Sequence, residues 1–263
     1  MQAIAANISM LCREVELLDR FEVARAAGFD GVEIQFPYSE SADDLAQAAR
    51  AAGMPVVLIN TPVSREHPFG LCGRPEMREG FRAQLAQIVE YAEALNVRFV
   101  HVLAGQIISS DERDRCHSTY AENLHLAADM LAPYGVDVLV EPLNAHDVPN
   151  YLVGSIADAQ AILERCEHRA GLQFDLYHVA RMGLDPAAEL GRWRSLVRHV
   201  QFADSPGRHE PGTGNVDFES ALAALHEIRY SGWLAAEYVP LMRTPESLAW
   251  LEAWRRFRFA TEK

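Results

Sequence analysis

Paired cysteines are missing from this chain. Its four cysteines, Cys12, Cys72, Cys116 and Cys166, are widely scattered and form no C-x-x-C. That spacing argues against a disulfide framework or a zinc knuckle and suits free thiols in a reducing, cytoplasmic compartment. Neither G-x-G-x-x-G nor G-x-x-x-x-G-K-[ST] occurs, so a dinucleotide fingerprint and a P-loop are both excluded. No apolar run approaches transmembrane length. The apolar stretch from Ala3 to Leu11 lacks a positive n-region and a small-residue cleavage site, and it reads as a first strand rather than a signal peptide. An excess of positive charge is missing too. Lys and Arg number 24 against 37 Asp and Glu, a formal net charge of −13. That balance argues against nucleic acid or an anionic membrane surface as partner, though an acidic chain can still hold a local basic pocket for a small anion. Linkers, low-complexity segments and composition breaks are absent, which points to one domain over residues 1–263.

What the chain does contain is length, core and rhythm. With 263 residues, 49% of them hydrophobic, it can bury a sizeable core. A phrase recurs in ARAAGFDGVEIQF, ARAAGMPVVLIN, AEALNVRFVHVL, LAPYGVDVLVEP and CEHRAGLQFDLY. Each reads as a helix ending in small residues, then a Gly or Asn suited to the left-handed C′ position, then a strand of β-branched and aromatic residues. Counting these junctions predicts eight strands, near Ala3–Asn7, Gly31–Gln35, Pro55–Asn60, Arg98–Leu103, Val136–Glu141, Leu172–Asp175, Val197–Ala203 and Leu234–Tyr238. Helical patterns such as Pro75–Leu95 and Asp111–Leu131 separate them. Eight alternating units favour an α/β fold closed as a single (β/α)8 TIM barrel, with an open doubly wound sheet as the alternative. The site should then lie in the loops after the strands, including Thr61–Glu76, Ala104–Asp111, Pro142–Gly154, Leu176–Met182 and Asp204–Val216.

Four polar residues stand at or near the C-terminal ends of consecutive predicted strands: Glu141, Asp175, Gln201 and Glu237. In a parallel barrel these ends share one face, so three carboxylates and one amide oxygen should converge. They would repel one another unless a positive group sits between them, most simply a hard divalent cation. Oxygen-only ligation favours Mg2+ or Mn2+ over zinc. A strand-end Glu can equally cap a helix or pair with a neighbouring cation. His178, three residues after Asp175, and His101 are either site residues or satisfied polar residues near the mouth. Arg208 and His209 fall in PGRHEPGTGN after the seventh strand, where barrels often hold anions. The plainer reading of that segment is a solvated turn made flexible by Gly207, Gly212 and Gly214. The tail SLAWLEAWRRFRF has helical spacing and should pack a last helix on the barrel, leaving Arg255, Arg256, Arg258 and Lys263 as solvated charges. A divalent ion between glutamates on opposite walls suggests proton transfer at a carbon beside a carbonyl, through an enediolate.

The segments GFDGVEIQFPY, VEPLN, FDLYH, VQFADSPGRHEPGTGNVDF and YSGWLAAEYVP resemble the hydroxypyruvate isomerase family of xylose isomerase-like barrels. The resemblance covers nearly the whole chain. RHEPGTG and the ordered Glu, Asp, Gln, Glu set are its specific parts, whereas GFDGVEI is shared widely. It implies Glu141 and Glu237 as the catalytic pair and Glu141, Asp175, Gln201 and Glu237 as metal ligands. His178, Arg208 and His209 would lie near the substrate, a small hydroxy-oxo acid. The family interconverts hydroxypyruvate and tartronate semialdehyde, and close relatives isomerise 2-oxo-tetronates; the motifs do not separate the two. Competing readings are a ketose 3-epimerase, which usually has His at position 201, a metal-dependent endonuclease with a His-rich site, and a non-catalytic binding barrel. Whether the chain forms a homo-oligomer is left open.

Overall fold

The computed structural model describes residues 3–107 and 109–260, with position 110 and residues 256–260 described through the backbone alone. Eight strands form a closed parallel barrel in sequence order. They are β1 (Ile4–Asn7), β2 (Gly31–Ile34), β3 (Val56–Asn60), β4 (Phe99–His101), β5 (Asp137–Val140), β6 (Ala170–Asp175), β7 (Val197–Phe202) and β8 (Leu234–Ala236). Pairing of β1 with β8 completes the ring. The connecting helices are α1 (Arg20–Ala27), α2 (Ala42–Ala52), α3 (Arg78–Leu95), α4 (Arg113–Leu131), α5 (Ile156–Arg165), α6 (Leu176–Arg181), α7 (Pro186–Trp193) and α8 (Phe218–Glu227), with α9 (Ala249–Ala260) last. All four cysteines are free and buried, in keeping with their scattered spacing.

Local chemistry explains most boundaries. Ser41, Ser155 and Asp217 start α2, α5 and α8 by accepting a backbone N–H of the first turn. At the other ends Gly28, Gly53 and Asn96 take the left-handed conformation predicted for them. The expectation fails after α5. There Glu167 and His168 adopt positive φ, and Gly171 lies inside β6. Gly171 is required for another reason: a Cβ there would lie 2.1 Å from Cγ of Arg198, whose stem crosses it. A second correction concerns Leu176–Met182, expected as a loop. Residues Leu176–Arg181 are helical because the Asp175 side chain caps them, accepting the Tyr177 N–H at 2.9 Å.

Inside the barrel, side chains alternate with the two-residue period of a strand. Ala5, Leu58, Phe99, Leu139 and Ala235 form an apolar plug at the N-terminal end. Two residues further along the same strands stand Asn7, Asn60, His101, Glu141 and Glu237, all buried. The interior is therefore apolar at one end and polar at the other, which sets the site at the C-terminal mouth.

The aromatic tail packs as its spacing predicts. Trp250 and Trp254 of α9 pack on Phe202, the first edge-on and the second tilted, with ring centroids 5.0 and 4.7 Å away, and Trp250 Nε1 donates to the Tyr238 hydroxyl at 3.0 Å. Arg255 faces Asp30 at 3.8 Å, while the expectation for Arg256, Arg258 and Lys263 lies outside the described side chains. Trp250→Ala should lower unfolding free energy by about 3–5 kcal/mol, the usual cost of emptying a large aromatic site. Urea denaturation checks this; a loss near zero would mean that α9 only leans on the barrel.

Candidate active site

Asp175 is the last residue of β6, Gln201 lies one residue before the end of β7, and Glu141 and Glu237 are the first residues after β5 and β8. All four are buried. Each carboxylate is held differently. Asp175 uses Oδ1 to cap α6 and leaves Oδ2 without a partner. One oxygen of this side chain is thus spent on capping and the other stays open. Glu141 accepts the Gln173 amide on Oε2 at 2.9 Å and leaves Oε1 without a partner. Glu237 is fully engaged: Oε1 accepts from Asn7, Gln35 and Gln201 at 3.0, 3.0 and 3.2 Å, and Oε2 from Arg208 at 2.5 Å.

The positive group between the carboxylates is therefore Arg208. Its Nη2 lies 2.5 Å from Glu237 and 3.7 Å from Asp175, and its guanidinium sits 5.0 Å over the Tyr177 ring. Three carboxylates still face one guanidinium. Burial, reinforced by Glu237 and Asp175, pushes the Glu141 carboxyl well above the usual carboxylate range. Burial raises Asp175 to about 7 even though Arg208 opposes it. Glu237 is also raised by burial, again against Arg208. Excess negative charge with two orphaned carboxylate oxygens is the environment that a hard cation relieves. One ligand atom each from Glu141, Asp175 and His178 lies within 4.8 Å of the others, so this group could hold a metal ion.

His178 carries a second piece of information. Its Nδ1 faces both the backbone N–H of Asn144 at 3.2 Å and the Asn144 Nδ2 at 2.7 Å. The Asn144 oxygen is meanwhile occupied by the N–H groups of His146 and Asp147, so the amide cannot turn round. Nδ1 is then the acceptor, and Nε2 of the neutral ring bears the proton. Burial first, then Arg208 and His101, keep the ring far below the usual histidine range and hence neutral. The Nε2–H points toward Glu141 Oε1 and Asp175 Oδ2, 4.0 and 3.8 Å away. In this tautomer it can donate to a substrate oxygen; ligating a cation would require the other one.

The Gln201 side chain is also oriented. Its amide nitrogen donates to Glu33 and Glu237, while its oxygen accepts from Gln173. The expected oxygen donor to a cation thus points sideways in this arrangement. His209 turns away from the carboxylates and places Nδ1 2.7 Å from the Val239 carbonyl. His101 is buried beside Glu141, its Nδ1 3.3 Å from Oε2 but outside hydrogen-bond alignment.

The PGRHEPGTGN segment is built rather than slack. Buried Asp204 accepts the backbone N–H groups of Ser205, Gly212, Gly214 and Val216 at 2.8–3.0 Å. A Cβ at Gly214 would lie 2.1 Å from the Ser205 carbonyl, which explains that glycine. Asp204 escaped the sequence reading, as did the layer beneath the site. There Glu33 joins Asn7, Gln201 and His199, and Asn7 bridges to Glu237. The signal was available in the period-two rule, because Asn7, Glu33, Gln35, Gln173 and His199 occupy alternate strand positions.

Residues 21–254 match the model of the xylose isomerase-like TIM barrel family. The chain is 36% identical to the 2-oxo-tetronate isomerase of Cupriavidus necator over 97% of this chain and 99% of that one. It is 31% identical to the hydroxypyruvate isomerase of Escherichia coli, over 97% and 100%. A crystal structure described as an AP endonuclease of family 2 from Brucella melitensis superposes with a TM-score of 0.92 at 35% identity, over 97% and 99%. With a buried Glu, Asp, Gln, Glu set at its barrel mouth and relatives matched end to end, the chain belongs to the hydroxypyruvate isomerase family of xylose isomerase-like TIM barrels.

Proposed function

We propose that this protein is an isomerase of small hydroxy-oxo acids that interconverts hydroxypyruvate and 2-hydroxy-3-oxopropanoate through an enediolate. A 2-oxo-tetronate, longer by one hydroxymethylene unit, is the alternative substrate. The observation that supports this reading most is the pair of buried strand-end glutamates, held in contrasting environments. Glu237 is anchored by four donors, whereas Glu141 keeps one oxygen free and is driven toward its protonated form. Two titratable groups with contrasting surroundings are what paired acid and base roles require.

In the forward direction one glutamate removes a proton from the hydroxymethyl carbon. The electron pair moves to give the enediolate, the hydroxyl proton passes from the oxygen of that carbon to the former carbonyl oxygen, and the other glutamate returns a proton to the former carbonyl carbon. The His178 Nε2–H is placed to donate to a substrate oxygen as charge develops there, and the buried setting strengthens that hydrogen bond. Glu141 and Asp175, with Glu237 and a turned Gln201, would hold a divalent Mg2+ or Mn2+ ion, which would supply Lewis-acid stabilisation of the enediolate oxygens. Assay of the purified, metal-loaded protein on both acids tests the reading. Turnover of neither would remove it.

The endonuclease description of one structural relative concerns that protein. Here the carboxylate-dominated mouth and the net charge of −13 favour a small acid over a polyanionic strand.

Arg208 gives a separate test. Its partner here is Glu237, yet it is also the guanidinium best placed to receive a substrate carboxylate. Arg208→Ala should lower kcat/KM for the acid about 10–100-fold, the worth of a charge-assisted hydrogen bond of roughly 1.5–3 kcal/mol. The loss on an uncharged hydroxyketone such as dihydroxyacetone should be much smaller. Equal losses on both would confine Arg208 to holding Glu237.

A further inference from the structure

The opposite mouth of the barrel carries a cavity of about 470 Å³ that the proposed reaction does not use. It opens where β4, β5, β7 and β8 begin, and the apolar plug separates it from the polar site. Four arginines line it, Arg98, Arg194, Arg198 and Arg229, against a single carboxylate, Asp137. In a chain of net charge −13, such a local excess of positive charge is the reverse of the overall balance.

The four are not equivalent. Arg98 is already neutralised, donating to Asp137 at 2.6 Å and to the Gly135 carbonyl at 3.0 Å. Arg194 and Arg198 reach only backbone carbonyls, those of Gly191 and of Ser195 and Val197. Among the described residues Arg194, Arg198 and Arg229 have no carboxylate partner. All three are exposed, and the lining around them is fixed at two points: the Arg198 stem lies across Gly171 of β6, and the Tyr230 hydroxyl donates to the Trp233 carbonyl at 2.8 Å. Trp233, whose ring packs against Gly31, supplies a flat apolar wall beside the guanidinium groups.

We infer that this cavity is a second binding site, for a small molecule bearing a phosphate group. Guanidinium forks match phosphate oxygens in pairs, and arginine is suited to that recognition by its planar, always-charged head. The volume falls within the range of small-molecule sites. The apolar wall would take the organic part of a phosphate ester. A free phosphate would use the arginines alone.

Isothermal titration of the intact protein with inorganic phosphate, pyrophosphate and AMP, at physiological ionic strength, tests this. One saturable site is expected. Tighter binding of AMP than of phosphate would identify an ester, and equal binding a free phosphate. The double variant Arg194→Gln/Arg229→Gln spares the packed Arg198 stem and should weaken binding at least tenfold, with circular dichroism and isomerase turnover unchanged. Arg208→Gln at the other mouth should leave the second site's affinity as it was. The inference is overturned if the double variant binds like the parent, or if Arg208→Gln abolishes binding. It is also overturned if the double variant dissociates into a smaller species, which would make this face a contact between copies.

Discussion

Glu141→Gln and Glu237→Gln are each expected to lower kcat about 10²–10⁴-fold, the usual worth of general acid–base catalysis. Both substitutions keep an oxygen and nearly the same volume, but an amide cannot accept the substrate's proton. Substrate affinity should change less, because the loss falls mainly on the transition state. The two variants should differ in stability. At Glu141 the amide oxygen can take over the hydrogen bond from Gln173. At Glu237 two oxygens accept from four donors, and one becomes an NH2 facing either Arg208 or the three amides. Glu237→Gln should therefore also be the less stable protein, and turnover has to be compared at equal folded, metal-saturated concentration. Asp175→Asn and Gln201→Glu should instead show their damage chiefly as altered metal affinity. Exchange of the carbon-bound hydrogen with solvent separates the roles. Parent-like exchange and turnover in Glu237→Gln would remove that residue from proton transfer and leave Glu141 to act alone.

Removal of divalent metal is expected to abolish turnover, with Mg2+ or Mn2+ restoring it. The motive is the pair of orphaned oxygens, Glu141 Oε1 and Asp175 Oδ2, in a pocket where three carboxylates face one guanidinium. A readout independent of turnover exists. An ion at 100 times its dissociation constant should stabilise the fold by about 2.7 kcal/mol, visible as a rise in Tm. The sign of the pH dependence follows from burial. A carboxyl raised to about 7 at Asp175 is protonated below that pH, so proton and cation compete and cation affinity should fall as pH drops below about 7. Full turnover in verified metal-free protein would sink the assignment.

Fold and site were legible to different depths. The eight strands could be read because a parallel barrel strand is buried on both faces and appears as a compact apolar run, several of them preceded by the Gly or Asn that ends a helix. The boundaries erred by up to a few residues where a side chain decided them. Asp175 turned an expected loop into α6, and the Arg198 stem made Gly171 a strand glycine rather than a helix cap. Glu141, Asp175, Gln201 and Glu237 stood out because a polar residue ending an apolar run is conspicuous. Glu33 and His199, just as buried, were passed over because they lie within runs rather than at their ends, where only a two-residue spacing, such as that of His199 from Gln201, marked them.

What the sequence determined by itself was the set of strand-end groups, since strand period and direction place them on one mouth whatever the packing. What only the tertiary structure decided was the chemistry of each atom within that set. Arg208 lies far from Asp175 along the chain, yet it is the cation beside it. Asn144 assigns the proton on His178, and the amides of Gln173 and Gln201 choose which way each oxygen points. Such choices depend on contacts a few ångströms long between residues tens to hundreds of positions apart. Local sequence carries no term for them until the barrel has closed.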